Sequence, residues 1–505
     1  MAKRIGQFFR SDLGVLLLVA AARVFVHLVT NGQYGFHRDE LQTLDDARHL
    51  DWGFVAYPPI TPLVGRVELI LFGASLVGFR LFAAVAVSIV MVLAGLVAKE
   101  LGGDRRIQLL AAIAAGIWPF SLAQGAVFQY VSFDYLWGSA TTYFLVRLAK
   151  SEDPRWWLAV GAMLGLGMET RYTAGFLALG LVGALSFTPL RRHLLSGWLW
   201  AGVALSILIF LPNLVWQARH QFVSLDFLSH LHARDLRQGR YRDFYIAQPL
   251  LCLNMATAPL ALLGLWFYFI REEGRRYRLL GWTVLVTFLI FAITGARSYY
   301  TAPLYPVLLA GGSVMFGIRI ARLRPGQARA IWATQWGLIL TAGVFFAFLV
   351  MPIAPVGSRV WRLTAKLHDQ FREEIGWPEL AQNVARVFNS LPPEERARSG
   401  ILTGNYGEGG ALNLYGRALG LPPAMTLTNS FWYRTFDSRE PQTAIVVGFD
   451  LDEAQGLFES CAIAARNSNP LNVENEESRD HPDILVCRNL KMSWPKYWAT
   501  HRRFG

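Results

Sequence analysis

Long apolar runs recur between Leu13 and Met351, and they constrain the fold of this chain more than any other feature. A transmembrane helix needs about 20 predominantly apolar residues, and most of these runs approach that length. Charged residues make up only 17% of the 505 residues, against about 25% in soluble proteins. The sequence therefore excludes an ordinary soluble enzyme and predicts a polytopic α-helical membrane protein.

The apolar runs predict about eleven transmembrane helices. The candidate spans are Leu13–Thr30, Arg80–Ala98, Ile107–Ala123, Phe133–Leu148, Trp156–Met168, Thr173–Phe187, Gly197–Trp216, Pro249–Ile270, Leu279–Gly295, Thr301–Ile318 and Ile331–Met351.

Basic residues cluster in alternate connections between these spans and raise the net charge to +12. By the positive-inside rule, the clusters and the N-terminus lie in the cytoplasm. The charge is thus a topology signal, and we predict no nucleic-acid partner. With an odd number of crossings of the inner (plasma) membrane, everything after Met351 is predicted to be periplasmic or extracellular.

Two domains follow from this topology: a membrane domain over residues 1–351 and an extracytoplasmic α/β domain over residues 352–505. The membrane domain includes outer interfacial helices at residues 36–72. From Asp39, apolar residues recur at helical spacing among polar ones, which is typical of an amphipathic helix at the membrane surface. Ile60–Phe72 contains Arg66 and Glu68, so an interfacial helix is favoured over a span.

The second domain contains a glycine-rich turn, Asn405-Tyr406-Gly407-Glu408-Gly409-Gly410, between a strand at Ile401-Leu402 and a helix over Ala411–Leu419. Thr443–Phe449 is a second candidate strand. The turn is compatible with a phosphate cradle, but it lacks the G-x-G-x-x-G spacing, so a strand-to-helix turn is favoured. If this domain is outside, Cys461 and Cys487 are able to form a disulfide.

The run His37-Arg38-Asp39-Glu40 directly follows the first span. Adjacent carboxylates on a helix point about 100° apart, so at most one of them addresses a given atom. Asp39 is either the helix cap, with Gln42 approximating a capping box, or a catalytic carboxylate. The residues alone leave both open.

An ordered set of motifs stands beside the predicted spans. It consists of Phe36-His37-Arg38-Asp39-Glu40, Ala47-Arg48-His49-Leu50-Asp51-Trp52-Gly53, Tyr57-Pro58-Pro59, Ser132-Phe133-Asp134, Gly165-Leu166-Gly167-Met168-Glu169-Thr170-Arg171-Tyr172, Arg297-Ser298-Tyr299-Tyr300 and Pro303-Leu304-Tyr305-Pro306. The set resembles the bacterial dolichyl-phosphate-mannose protein mannosyltransferase (PMT-type) family of GT-C glycosyltransferases, and also the aminoarabinose transferases that modify lipid A. The similarity covers Tyr34 to Gly312, and Gly404–Glu408 resembles an extension seen in one bacterial branch.

The resemblance implies transfer of a hexose or pentose from a polyprenyl-phosphate donor to a cell-envelope acceptor, with inversion at the anomeric carbon. It implies that Asp39 is the catalytic base and that Glu40 supports it. A positioned base supplies about 10² to 10⁴ in rate. No cofactor is required, since the phosphate leaving group is stabilised by fixed cations. A divalent metal is compatible with this chemistry but is not predicted.

The same resemblance suggests a donor-phosphate site formed by Arg171, Arg297, Tyr299 and Tyr300. A solvated turn at Arg171 and interfacial tyrosines of the aromatic belt are the alternatives. Asp134 is expected beside the catalytic cavity, unless it only complements a helix N-terminus with Ser132 as cap.

Tyr57 departs from the family pattern, because many relatives carry Lys or His immediately before the two prolines. Either Arg66 or Arg297 supplies the missing charge, or the donor head group differs. We assign His37, Arg38 and Tyr57 to the donor or acceptor region. The outer loop Gln217–Gln248 is too short for the luminal repeats of eukaryotic relatives, so a protein acceptor is not implied.

Two other classes of function remain open at this stage. A lipid or polysaccharide transporter would place ionisable groups near the membrane midplane between repeated halves, whereas the charges here lie elsewhere except for Arg23 and His27 in the first span. A non-catalytic relative that binds a cell-envelope partner is the other alternative.

Overall fold

The computed structural model describes residues 11–438 and 440–505. Residues 12–350 are almost entirely helical. The α-helices of this part are α1 (Asp12–Thr30), α2 (Arg38–Arg48), α3 (Ile60–Phe72), α4 (Leu76–Phe79), α5 (Leu81–Glu100), α6 (Arg105–Gly116), α7 (Pro119–Gln124), α8 (Tyr130–Ser151), α9 (Trp156–Met168), α10 (Ala174–Ser186), α11 (Gly197–Arg219), α12 (Val223–Arg237), α13 (Phe244–Ala247), α14 (Ala258–Ile270), α15 (Arg278–Ile293), α16 (Tyr305–Ile320) and α17 (Pro325–Val350).

Within the described residues, six helices are long and apolar enough to cross a membrane, or seven if the bent pair at Ala174–Ser186 and Pro189–Leu195 is one span. Helices Trp156–Met168 and Ala258–Ile270 are apolar but shorter. The polytopic helical class is therefore confirmed. The count of eleven crossings and the side on which each terminus lies stay predictions.

Two predicted spans are interrupted. The first, Ile107–Ala123, ends at Gly116 and restarts as α7 with Pro119 at its first position, because proline lacks the N–H that would continue a helix but fits its first turn. The second, Pro249–Ile270, divides into a π-helical turn, Gln248–Cys252, and α14, which again begins beside a proline.

Helix α2 differs most from its prediction as a surface helix, because all residues from 40 to 47 are buried. Its apolar residues Leu41 and Leu44 join the core of the membrane helices. Its polar face is covered by the C-terminal domain, where Arg434 pairs with both Asp45 and Asp46 at 2.6 Å. The helix thus lies between two layers of protein.

The C-terminal part is a small α/β domain, as predicted. Its sheet has five strands: β1 (Ser399–Thr403), β2 (Ala424–Thr426), β3 (Thr443–Val447), β4 (Phe458–Arg466) and β5 (Asp483–Leu490). Their order is β2-β1-β3-β5-β4, in which β1, β2 and β3 are parallel and β5 and β4 are antiparallel to their neighbours. Cys461 of β4 and Cys487 of β5 form a disulfide. The elements are α18 (Arg359–Leu367), α19 (Gln370–Glu373), α20 (Trp377–Ser390), α21 (Pro393–Ala397), β1 (Ser399–Thr403), α22 (Tyr406–Tyr415), β2 (Ala424–Thr426), β3 (Thr443–Val447), α23 (Leu451–Leu457), β4 (Phe458–Arg466), α24 (Glu476–Asp480), β5 (Asp483–Leu490) and α25 (Trp494–Thr500).

The glycine-rich turn leads from strand β1 into helix α22, as expected. Asn405 caps the helix by accepting from the Gly407 N–H at 3.0 Å, and Glu408 bonds back to the Asn405 N–H. The helix begins earlier than predicted, inside the glycine run. The glycines permit close packing on α2, because a Cβ at Gly410 would lie 2.8 Å from the carbonyl carbon of Leu41.

Candidate active site

The N-terminus of α2 is capped by His37 and Glu40, so the alternative in which Asp39 is the cap is wrong. The Asp39 N–H donates to Nδ1 of His37 at 3.2 Å, and the Glu40 carboxylate accepts from the His37 N–H at 2.8 Å. This arrangement is a capping box built on histidine. The Asp39 carboxylate is left free for other contacts.

Asp39 has a side chain that is 41% exposed, and it lines a cavity. Its Oδ1 accepts from the Tyr406 hydroxyl at 2.8 Å and its Oδ2 from the Gln129 amide at 2.9 Å. Partial burial acts to raise the pKa of Asp39, but His37, Arg38 and the Tyr406 hydroxyl outweigh burial and hold this pKa below its usual value. The carboxylate is therefore ionised at neutral pH.

Glu40 has a different environment, because it is 0% exposed. Its carboxylate accepts from Arg80 Nε at 2.8 Å and Arg80 Nη2 at 2.6 Å, and from the Phe128 N–H at 2.7 Å. It lines neither of the cavities described below. Glu40 thus fixes the start of α2 against the membrane helices.

Arg38 and His37 flank Asp39 in the sequence and hold the start of α2 in place. Arg38 pairs with Glu476 at 2.6 Å and Glu477 at 3.2 Å, which ties α2 to the C-terminal domain. Its side chain also lines the cavity of Asp39. His37 is buried, and burial lowers its pKa, so the ring stays neutral as a cap acceptor.

The cavity that contains Asp39 is called here the polar cavity, and it has a volume of about 250 Å³. It lies between the membrane helices and the C-terminal domain. Arg38, Gln129 and Arg234 line it from the membrane part, and Tyr406 from the C-terminal domain.

A second cavity, of about 340 Å³ and called here the apolar cavity, contains Arg171. Arg171 is 7% exposed. Its guanidinium carbon lies 4.1 Å from the ring centre of Tyr300, 5.2 Å from that of Tyr299 and 5.0 Å from that of Tyr130. Among the described residues its Nη1 has no hydrogen-bond partner. A buried cation with an unused donor is suited to an anionic ligand.

The polar and apolar cavities adjoin each other. They share the side chains of Ala56, Tyr57, Tyr130, Phe227, Leu231 and Arg297. Arg297 is held by two bonds to Asp235, at 2.6 Å and 3.0 Å. Asp39 therefore lies in the cavity next to that of Arg171 and Tyr300, and Arg297 lines both cavities. Tyr299 lines neither cavity and reaches the site through its contact with Arg171.

Asp134 lies behind Arg171, at 3.6 Å from its Nη1. It lines a smaller void that shares Thr173, Phe291 and Tyr300 with the apolar cavity, and it lines neither the polar nor the apolar cavity. The alternative, in which Ser132 caps a helix whose N-terminus Asp134 complements, is wrong. Helix α8 begins at Tyr130 after Gln129, and the Ser132 hydroxyl donates to the Gln124 carbonyl.

Tyr57 forms part of the wall between the cavities and donates to Asp46 at 2.6 Å. Arg66 is exposed on α3 and lines neither cavity, so it does not supply the charge that Tyr57 lacks. Only one face of the helix over residues 60–72 packs against the other helices, and Glu68 lies on that buried face while Arg66 does not. Arg297 is the nearer source of positive charge.

Three polar residues at this site were missed by the sequence analysis: Gln129, Asp235 and Tyr406. Gln129 and Asp235 lie in segments that the predicted topology puts on the outer side of the membrane. That position is the only sequence signal for their place at the site. Tyr406 lies in a glycine run whose spacing indicated only a turn. Among the described residues, no group of three or more His, Cys, Asp or Glu side chains is arranged to hold a metal ion.

Part of the membrane domain is similar to a known protein family. Residues 56–216, which include Tyr57, Asp134 and Arg171, match the family described as dolichyl-phosphate-mannose-protein mannosyltransferase. No curated protein matches the chain significantly.

The fold matches solved membrane glycosyltransferases. ArnT from Cupriavidus metallidurans bound to undecaprenyl phosphate aligns with a TM-score of 0.51 and 16% identity over 94% of this chain and 97% of ArnT. This chain has the GT-C fold. The arabinofuranosyltransferase AftD from Mycobacteria aligns with a TM-score of 0.54 and 15% identity over 94% of this chain and 40% of AftD. The oligosaccharyltransferase of Archaeoglobus fulgidus aligns at 0.51 and 10% identity, over 86% and 68%. The resemblance to PMT-type GT-C proteins is confirmed.

Proposed function

We propose that this chain is a membrane glycosyltransferase that moves a monosaccharide from a polyprenyl-phosphate donor to an extracytoplasmic acceptor, with inversion. The acceptor is a glycan, lipid or protein of the cell envelope. The observation that carries the proposal is the pair of adjoining cavities, one with the ionised Asp39 carboxylate and the other with the buried Arg171 guanidinium.

In the proposed reaction, the acceptor hydroxyl enters the polar cavity and Asp39 takes its proton. The acceptor oxygen then attacks the anomeric carbon as the bond from that carbon to the phosphate oxygen breaks. The donor phosphate leaves with the bonding electrons, and Arg171 stabilises its charge in a water-poor site, where a fixed donor is worth about 10² to 10³ in rate. A base and a leaving group on opposite sides of the sugar favour inversion.

The lining of the apolar cavity is consistent with a lipid-linked donor. Phe176, Phe227 and Phe291 line the same cavity as Arg171. ArnT, which has the same fold, binds undecaprenyl phosphate. Asp134 has the role of a counter-ion that orients Arg171, and Tyr299 and Tyr300 present their ring faces to the same guanidinium.

An extracytoplasmic site is supported by the disulfide between Cys461 and Cys487, because disulfides persist in oxidising compartments. Reporter fusions after Gly357 test this placement. An extracytoplasmic signal is expected, and a cytoplasmic signal would overturn it.

The activity is tested in cells and with purified protein. Mass spectrometry of envelope glycolipids and glycoproteins should show a sugar that is present with the wild-type chain and absent with Asp39→Asn at equal protein level. A transfer assay then uses undecaprenyl phosphates carrying mannose, glucose or arabinose as donors and an envelope extract as acceptor. Identical envelope sugars with and without the wild-type chain would contradict the proposal.

A further inference from the structure

One contact to Asp39 comes from a residue 367 positions away in the sequence. The Tyr406 hydroxyl, at the first residue of α22, donates to Asp39 Oδ1 at 2.8 Å. On the other side, Gln129 from the membrane part donates to Oδ2 at 2.9 Å. Both carboxylate oxygens are thus held, one by each domain.

The Tyr406 hydroxyl is fixed by the packing of α22 on α2. A Cβ at Gly407 would lie 3.0 Å from the Cβ of Arg38 and 3.0 Å from the ring of Trp377, so a larger residue there would push the helices apart. The ion pairs of Arg38 with Glu476 and Glu477 hold the same interface together. The position of Tyr406 is therefore set by rigid elements and not by a free loop.

The Tyr406 hydroxyl is also suited to donate a hydrogen bond at every working pH. Burial, together with the Asp39 carboxylate, raises the pKa of Tyr406 well above its usual range. The phenol stays protonated and Asp39 stays anionic, which is the arrangement of a charge-assisted hydrogen bond.

We propose that Tyr406 is a positioning residue for the Asp39 carboxylate, so that the C-terminal domain completes the candidate active site. The proposal rests on the proposed function, in which Asp39 is the base. Two anchors fix the rotation of the carboxylate while its remaining lone pairs point to the acceptor, and geometry of this kind contributes to rate because a reacting pair must be aligned.

The test compares two Tyr→Phe variants within the same domain. Tyr406→Phe removes only the oxygen that contacts Asp39. Tyr497→Phe is the matched control, because the buried hydroxyl of Tyr497 has no hydrogen-bond partner among the described residues. In the transfer assay, kcat should fall about tenfold or more for Tyr406→Phe, since a hydrogen bond to a charged group is lost, and KM should change little. Tyr497→Phe should keep the wild-type kcat.

The pH profile separates a positioning role from a merely structural one. The titratable and polar groups around Asp39 come from α2, from the membrane part and from the C-terminal domain: His37, Arg38, Gln129, Tyr130, Arg234, Arg240, Arg297, Tyr406 and Glu476. Activity requires ionised Asp39 and is lost as pH falls through its pKa. Removing the Tyr406 donor raises that pKa, so the acid limb of kcat should move to higher pH in Tyr406→Phe. A variant that only loosened the domain would lower the amount of active protein and leave the limb in place.

A fluorinated residue covers the case in which Tyr406→Phe does not fold. Tyr406 replaced by 3-fluorotyrosine keeps the ring and the hydroxyl but donates more strongly, so the acid limb should move to lower pH. An unmoved limb in every folded variant would overturn the proposal.

The failure of the proposed function is distinguishable from the failure of this inference. If Asp39→Asn retains wild-type transfer, Asp39 is not the base, and both proposals fall. If Asp39→Asn is inactive while Tyr406→Phe has wild-type kcat and pH profile, only the inference falls. In the Asp39→Asn background, Tyr406→Phe should have little further effect on the residual rate, since contacting residues that act as one unit are not additive.

Discussion

The polar and apolar cavities share one wall but differ in the residues that line the rest of each cavity. The polar cavity lies between two domains, contains an ionised carboxylate and has the C-terminal domain on one side. The apolar cavity lies among membrane helices and contains one buried guanidinium surrounded by three tyrosine rings. In the proposed function the two cavities have different roles: the acceptor is activated in the polar cavity, and the leaving lipid phosphate is stabilised in the apolar cavity.

The largest effect should come from the base itself. Asp39→Asn keeps the size of the side chain but removes its basicity, so turnover in the transfer assay should fall by about 10² to 10⁴. Since His37 and Glu40 form the helix cap, folding should change little. Near-wild-type turnover of folded Asp39→Asn protein would defeat the proposed role of the polar cavity.

The adjacent carboxylate provides a contrast to Asp39. Glu40→Gln breaks the buried pair with Arg80, and loss of one partner of such a pair costs about 3 to 5 kcal/mol of unfolding free energy. Its effect should therefore appear in the thermal unfolding midpoint in detergent, while the folded fraction transfers sugar at a rate much closer to wild type. A stable but inactive Glu40→Gln protein would give Glu40 a direct part in the chemistry.

The next largest effect should come from the apolar cavity. Arg171→Ala removes the cation proposed to stabilise the leaving phosphate, so transfer should slow by about 10² to 10³. Arg191→Ala is the matched control, since Arg191 is exposed in the Pro189–Leu195 turn and lines neither cavity. Equal rates for the two variants would remove Arg171 from the donor site.

The smallest effect concerns the domain interface that closes the polar cavity. Burial raises the pKa of Glu373 to about 7, that of Glu374 to about 8 and that of Glu408 to about 8. In the unfolded chain these groups ionise near pH 4.5, so the folded protein binds more protons between about pH 4.5 and 8. The contribution of these carboxyl groups to the free energy of unfolding is therefore fully present below about pH 4.5 and is lost as pH rises to about 8.

The thermal unfolding midpoint should accordingly be a few degrees higher at about pH 5.5 than at about pH 8.5. Glu408→Gln keeps the capping box and should flatten this dependence. A midpoint that rises with pH would contradict the assignment of these carboxyls as neutral in the folded state.

The sequence predicted helices better than it predicted contacts. Two helices have the bounds that their apolar patterns indicated: Trp156–Met168 and Ile60–Phe72. Helix bounds are predictable because they depend on local features, namely the apolar composition of a segment and the prolines or charges at its ends. The burial of α2 was not predictable in this way. It depends on a distant domain, since Arg434 lies 388 positions after Asp46. The amphipathic pattern of α2 is the same whether its polar face contacts water or Arg434.

In the candidate site, too, residues in local motifs were predictable and contacts between distant segments were not. Asp39, Arg171 and Arg297 were predicted from the motifs that carry the family resemblance, and the structure places each of them at a cavity wall. Arg66 was placed at the site only because it is a nearby charge in the sequence, and helical phase puts it on the exposed face of α3. Tyr406 carried no chemical signal in its own segment, since its contact to Asp39 exists only after α22 packs on α2.

The proposed roles of the two cavities are tested most directly by measuring the binding of undecaprenyl phosphate to purified protein together with the rate of sugar transfer. Asp39→Asn should bind this lipid as tightly as wild type and yet transfer no sugar. Arg171→Ala should bind it markedly more weakly. If Asp39→Asn loses lipid binding and Arg171→Ala retains it, or if both variants behave alike, the assignment of the two cavities is contradicted.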